Sequence, residues 1–237
     1  KEGLIARQFM LGVVQTADGM PIFHEVFDGN TAEAPTLEPT LKKVLTRYPH
    51  IRRLVVVADR GLLSLDNIEA LSKLHVGAGV GTDGGAGRPL EFILAVPGRR
   101  YGEFVDLLEP MAARMAQATD EIVEEAQWQG HRLVVAHNPL RATEQTQERL
   151  ARIHALQQRA DQLAGKLDAQ DEGKVQRGRK LSDSGAKARF FHEVSDAHLA
   201  RIIKVDLQSD LFTYAIDETA LARAQLMDGK LMLVTNV

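Results

Sequence analysis

The stretch Leu54-Val55-Val56-Val57-Ala58-Asp59-Arg60-Gly61 constrains this chain most. Four apolar residues, three of them β-branched valines, suit a short strand buried on both faces, and the run stops on a carboxylate. Open α/β sheets bind ligands at the carboxyl ends of their strands, so a charge where a core strand surfaces marks a candidate site. Gly61 permits a tight turn after it. On the residues alone, Asp59 is equally well a turn or cap residue.

The elements around this strand can be read in order. Gln8–Gln15 and Ile22–Phe27 are β-rich runs separated by Thr16-Ala17-Asp18-Gly19-Met20-Pro21, whose Asp-Gly pair predicts a hairpin. Thr31 or Thr36 can cap a helix reaching about Tyr48, with Leu37, Leu41, Val44 and Leu45 on one face. Ser64 is a candidate N-cap for a helix through Leu74. The glycine-rich run Gly77–Gly87 precedes a strand, Leu90–Val96, rather than opening a helix, so it reads as a surface loop and not a phosphate loop. Helix is expected over Tyr101–Ala118, strand over His131–Ala136, and a long helix over Thr143–Leu167. That helix has a narrow apolar stripe, which suits packing on its own domain better than a coiled coil. Lys166–Arg189 is polar with a modest basic excess and reads as a solvated linker or a phosphate-contacting segment. A helix over Phe190–Ile203, a strand over Leu211–Ile216, a helical piece over Glu218–Met227 and a strand over Lys230–Thr235 complete the chain.

Composition limits the functions available. With 237 residues, 44% of them hydrophobic, the chain can bury a sizeable core. A formal charge of −3 gives no global argument for nucleic acid, so any basic surface must be local. The absence of cysteine excludes disulfides, thiolate catalysis and cysteine-ligated zinc. No apolar run approaches the roughly 18 residues of a membrane span, and no signal peptide opens the sequence, so a soluble cytoplasmic protein without a membrane partner is expected. Lys1 and Val237 both read as cut ends.

The run His24-Glu25-Val26-Phe27-Asp28-Gly29-Asn30-Thr31-Ala32-Glu33, followed by Val57-Ala58-Asp59-Arg60-Gly61, resembles the catalytic domain of bacterial insertion-sequence transposases of the DDE type. The resemblance is narrower for members whose ribonuclease H-like core is interrupted by an insertion, and residues 7–96 carry it. It implies an α/β fold, a mixed ribonuclease H-like sheet, incomplete here, with a largely helical insertion. The expected division is residues 1–99 as the first part of the core, 100–205 as the insertion and 206–237 as the return to the core. The implied chemistry is DNA cleavage and strand transfer by two Mg2+ (or Mn2+) ions held by clustered carboxylates. Asp59 matches the second carboxylate, as catalytic residue and metal ligand. Arg60 is expected either to contact DNA phosphate or to pair with a carboxylate; Lys174, Arg177, Arg179 and Lys180 are the other candidate DNA contacts. The implied partners are double-stranded DNA at transposon ends and a second copy in a homodimer, in a bacterial cytoplasm.

Two carboxylates of the family pattern have no match. Only Glu2 precedes the hairpin, and the final glutamate is expected on a helix after the strand Lys230–Thr235. Glu218 and Asp228 lie before that strand and do not take its place. One carboxylate holds Mg2+ poorly, so this chain alone is expected to be inactive, with no metal or a weakly held one. Two other readings remain: a non-catalytic DNA-binding or assembly module built on residues 143–189, and an unrelated hydrolase or phosphatase built on Asp59.

Overall fold

The computed structural model describes residues 8–16, 18–58, 65–77, 87–174 and 180–237. The chain is a mixed α/β protein. Its elements run β1 (Phe9–Gln15), β2 (Pro21–Asp28), α1 (Ala34–Arg47), β3 (Val55–Ala58), α2 (Leu65–Ser72), β4 (His75–Val76), β5 (Arg88–Pro89), β6 (Glu91–Ala95), α3 (Val105–Gln117), β7 (Ile122–Trp128), β8 (His131–His137), α4 (Pro139–Asp171), α5 (Asp183–Asp196), β9 (Ile203–Val205), β10 (Tyr214–Ile216), α6 (Glu218–Leu226) and β11 (Lys230–Thr235). They form two compact units. The first draws on Lys1–Tyr101, Glu124–Val135 and Leu231–Val237; the second on Gly102–Val123 and Ala136–Lys230. The hairpin at residues 122–137, most of which joins the first unit, falls within the stretch that the sequence groups with a helical insertion.

In the first unit, β1 and β2 pair as the predicted antiparallel hairpin. Gly19 closes the turn at φ 84°, a left-handed conformation that favours glycine. Alternation leaves one face exposed, carrying Phe9, Leu11 and Val13 beside His24 and Val26. The other face is half-buried, and α1 is tied to the hairpin by Tyr48, whose hydroxyl donates to the Ile22 carbonyl at 2.7 Å, and by the Lys43–Glu25 ion pair. Neither Thr31 nor Thr36 caps α1. The N-cap is Glu33, without a side-chain bond, and the Thr36 hydroxyl donates back to the Glu33 carbonyl. Ser64 lies outside the described residues, as does most of the glycine-rich run.

The five-stranded sheet has the order β3-β6-β11-β8-β7 and is mixed: β3 runs parallel to β6, and β11 antiparallel to it. The last of the described strands therefore occupies the middle. Val56 and Ala58, opposite Phe92 and Leu94, are buried, but Val57 on the other face is 73% exposed. The expectation of burial on both faces fails because no described element covers the Val57 face of β3. Asn236 locks the sheet beyond β11, accepting from the Phe92 amide at 2.8 Å and donating to the Leu90 carbonyl at 2.9 Å.

The sequence reading misses β7. Its residues alternate between exposed and half-buried, and Gln129 (φ 49°) and Gly130 (φ 81°) join it to β8 with the two positive φ values of a type I′ turn. A glutamine in the first turn position is an unusual hairpin signal, which hid the strand.

The second unit is mainly helical. Asn138 caps α4, its side chain accepting from the Arg141 amide at 3.0 Å, with Pro139 in the first turn. The helix therefore begins earlier and ends later than its apolar stripe suggests. That stripe, Ile153, Leu156, Ala160, Leu163 and Leu167, packs into a core with Phe190 and Val194 of α5, as expected of a helix that serves its own domain. Phe190 meets Phe212 edge-on at 5.6 Å and Tyr214 at 5.1 Å. The predicted helix over Phe190–Ile203 is displaced: Ser182 caps α5, and the helix ends in a Schellman motif with His198 at φ 58° where glycine is usual. A non-glycine in that position concealed the boundary. Likewise α3 starts at Val105 after a 3-10 turn, not at Tyr101, and β10 is shorter than predicted.

Candidate functional site

The sequence points first to the carboxyl end of β3. That strand delivers the chain, through the buried Ala58 opposite Leu94, to the sheet edge at which β6 also ends. Asp59 and Arg60 lie outside the described residues, as do Arg177 and Arg179. Lys174 and Lys180 are described: both are exposed, and Lys174 forms an ion pair with Glu172 at the end of α4. The two lysines flank the connection from α4 to α5. Gln170 shapes that connection, donating to the Leu181 carbonyl at 2.9 Å and accepting from its amide at 2.6 Å.

Among the described residues, no three His, Asp or Glu side chains converge as a metal site requires. The described carboxylates that the sequence sets aside are accounted for otherwise. Glu218 sits in the first turn of α6, where a negative charge meets the helix dipole favourably. Asp228 is almost completely buried, 4% exposed. It accepts two hydrogen bonds of 2.6 Å from the Arg149 guanidinium and one of 2.7 Å from the Thr146 hydroxyl. This bidentate pair holds the arginine firmly protonated, and it fastens α4 to the turn before β11.

Beside that pair lies a cleft of about 670 Å³, within the size range of small-molecule sites. Its walls come from the last turns of α3 (Ala112, Met115), the first turns of α4 (Ala142, Thr143) and the end of α6 (Ala222, Gln225). Short side chains at the alanine positions leave the space open. His137 and Lys230 also line it, with Lys230 Nζ 3.4 Å from His137 Nδ1. Burial lowers the imidazole pKa first and the lysine charge second, against a backbone hydrogen bond with Asp228 that opposes them. Burial also lowers the ammonium pKa, against the charge of Asp228. In this contact the Lys230 ammonium is the donor and His137 Nδ1 the acceptor.

Sequence reasoning does not find this cluster. His137 ends a strand and Lys230 begins one, ninety-three residues apart in the chain, and no local spacing relates them. The one available signal is the Asp228-Gly229 turn, whose glycine stands at φ 68° with no room for a side chain. No protein-family model, no curated protein and no solved structure matches this chain.

Proposed function

We propose that this chain is a fragment of the catalytic core of a DDE-type transposase of a bacterial insertion sequence, whose intact parent cuts and joins DNA, with Asp59 as the second of the parent's three carboxylates. The observation that carries this reading is the order of the first unit. An antiparallel hairpin, a helix and an apolar strand parallel to β6 precede Asp59 directly, within the residues that hold the family-like string His24–Glu33. The open edges support it. Among the described residues β3 pairs on one side only, and β1–β2 is a separate two-stranded sheet. A ribonuclease H-like sheet joins such a hairpin to such a strand through one further strand lying between them.

In this reading double-stranded DNA at transposon ends is the substrate, in a bacterial cytoplasm, and two copies work as a dimer. Arg60, Lys174, Arg177, Arg179 and Lys180 contact phosphates; the exposure of Lys174 and Lys180 suits that role. Mg2+ or Mn2+, when bound, supplies activation of the attacking oxygen and stabilisation of the leaving one. The described residues do not compose a site for these ions. A purely assembly-type module is less well supported, because the apolar stripe of α4 is spent inside its own unit.

The coding sequence flanking Lys1 and Val237 tests the proposal: it must hold an Asp-bearing strand upstream and a Glu-bearing helix downstream. In the full-length gene product, Asp59→Asn is expected to abolish strand transfer from a cut transposon end while leaving salt-dependent DNA affinity intact. Wild-type strand transfer by that variant would remove Asp59 from the mechanism.

A further inference from the structure

We propose that the cleft walled by α3, α4 and α6 is a phosphate-binding site, with Lys230 and His137 at its base. Of the described residues that line it, two are basic and none is acidic. Asp228, behind the cleft, is occupied by Arg149 and Thr146, and Glu121 accepts from the Asn138 amide at 3.4 Å. The lining offers donors to an incoming anion: the Lys230 ammonium, the Gln147 and Gln225 amides, and the Thr143 hydroxyl, which now bonds to the Pro139 carbonyl at 3.0 Å. The first turn of α4 also lines it, so the positive end of a 33-residue helix borders the same space. The alanines of the wall leave room for a small apolar body attached to the phosphate.

The base of the cleft is preorganised. His137 is 6% exposed, and its Nδ1 lies 3.4 Å from the Lys230 ammonium. A bound phosphate would take a hydrogen bond from Lys230 and lie close enough to the imidazole to alter its resonances.

The inference does not depend on the transposase reading, and Asp59→Asn should leave it unchanged. The test is a titration of the whole chain with inorganic phosphate, followed by the imidazole proton resonances, with His137→Gln assigning the signal of His137. A saturable shift of that signal is expected at millimolar phosphate. Lys230→Gln should weaken it about tenfold. Ala222→Trp, a bulky change at an exposed position of the rim, should block it even if the lysine variant fails to fold. A shift absent at tens of millimolar phosphate, or untouched by Ala222→Trp, would overturn the proposal. A short duplex of random sequence, titrated in place of inorganic phosphate, separates the sources of the phosphate. A shift of the His137 signal that Ala222→Trp blocks identifies the nucleic acid backbone, and its absence identifies a free phosphorylated molecule.

Discussion

Arg149 grips both carboxylate oxygens of Asp228 at 2.6 Å, and the pair lies almost wholly out of water, with side-chain exposures of 16% and 5%. Two charges withdrawn from solvent are tolerated only together. Removing one leaves the other buried without compensation, and the penalty exceeds what the pair itself contributes.

Asp228→Ala is therefore expected to cost about 3–5 kcal/mol in urea unfolding. The double variant Arg149→Met/Asp228→Leu should cost clearly less than the sum of the single changes. An additive double-mutant cycle would show that the two side chains act independently.

The turn that carries Asp228 makes its own demand. Gly229 has φ 68°, and a Cβ there would stand 2.4 Å from the Asn138 carbonyl oxygen and 2.7 Å from the Ala142 Cβ. Gly229→Ala should lower stability by about 2 kcal/mol or more, since the left-handed conformation alone costs an alanine about 1–2 kcal/mol. A thermal scan with an unchanged midpoint would contradict the close approach.

His137 gives the unit a pH dependence of definite sign. Its folded pKa is lowered from 6.5, chiefly by burial and then by Lys230. Below pH 6.5 the unfolded chain binds a proton that the folded chain refuses, so stability is lost as pH falls from that value toward the depressed one. The slope contributed by this group is at most about 1.4 kcal/mol per pH unit. His137→Gln should flatten the acid limb of a stability profile measured between neutrality and mild acid; an unchanged limb would mean that other groups govern it.

One substitution should stabilise the protein. Gln129 occupies the first central position of the type I′ turn at φ 49°, where asparagine before glycine is the preferred pair. Gln129→Asn, leaving Gly130 in place, should raise stability by up to about 1 kcal/mol, read as a higher urea midpoint at constant slope.

Much of the first unit was legible because its signals are local. Asp18-Gly19 announces the hairpin, and the Val55–Val57 run announces a strand. What was hidden depended on residues taking unusual roles. Gln129 and His198 adopt left-handed conformations without being glycine, so a turn and a helix end passed unnoticed. Val57 reads as core by composition, yet its exposure depends on whether another element covers that face, which composition does not encode. The His137–Lys230 cluster was illegible for a similar reason: its members meet only through tertiary pairing. Asp59, the residue to which the sequence pointed most strongly, lies outside the described residues.

The position of β11 has a consequence for biosynthesis. It pairs with β6 and occupies the centre of the five-stranded sheet, yet it emerges from the ribosome after the other four strands of that sheet. Until residues 230–235 are made, β6 and β8 have no strand to join them, and their inner edges stay open to wrong partners. A nascent chain stalled just short of Lys230 should be a good client for a chaperone that shields apolar strands, and release past Thr235 should end that need in a single cooperative step.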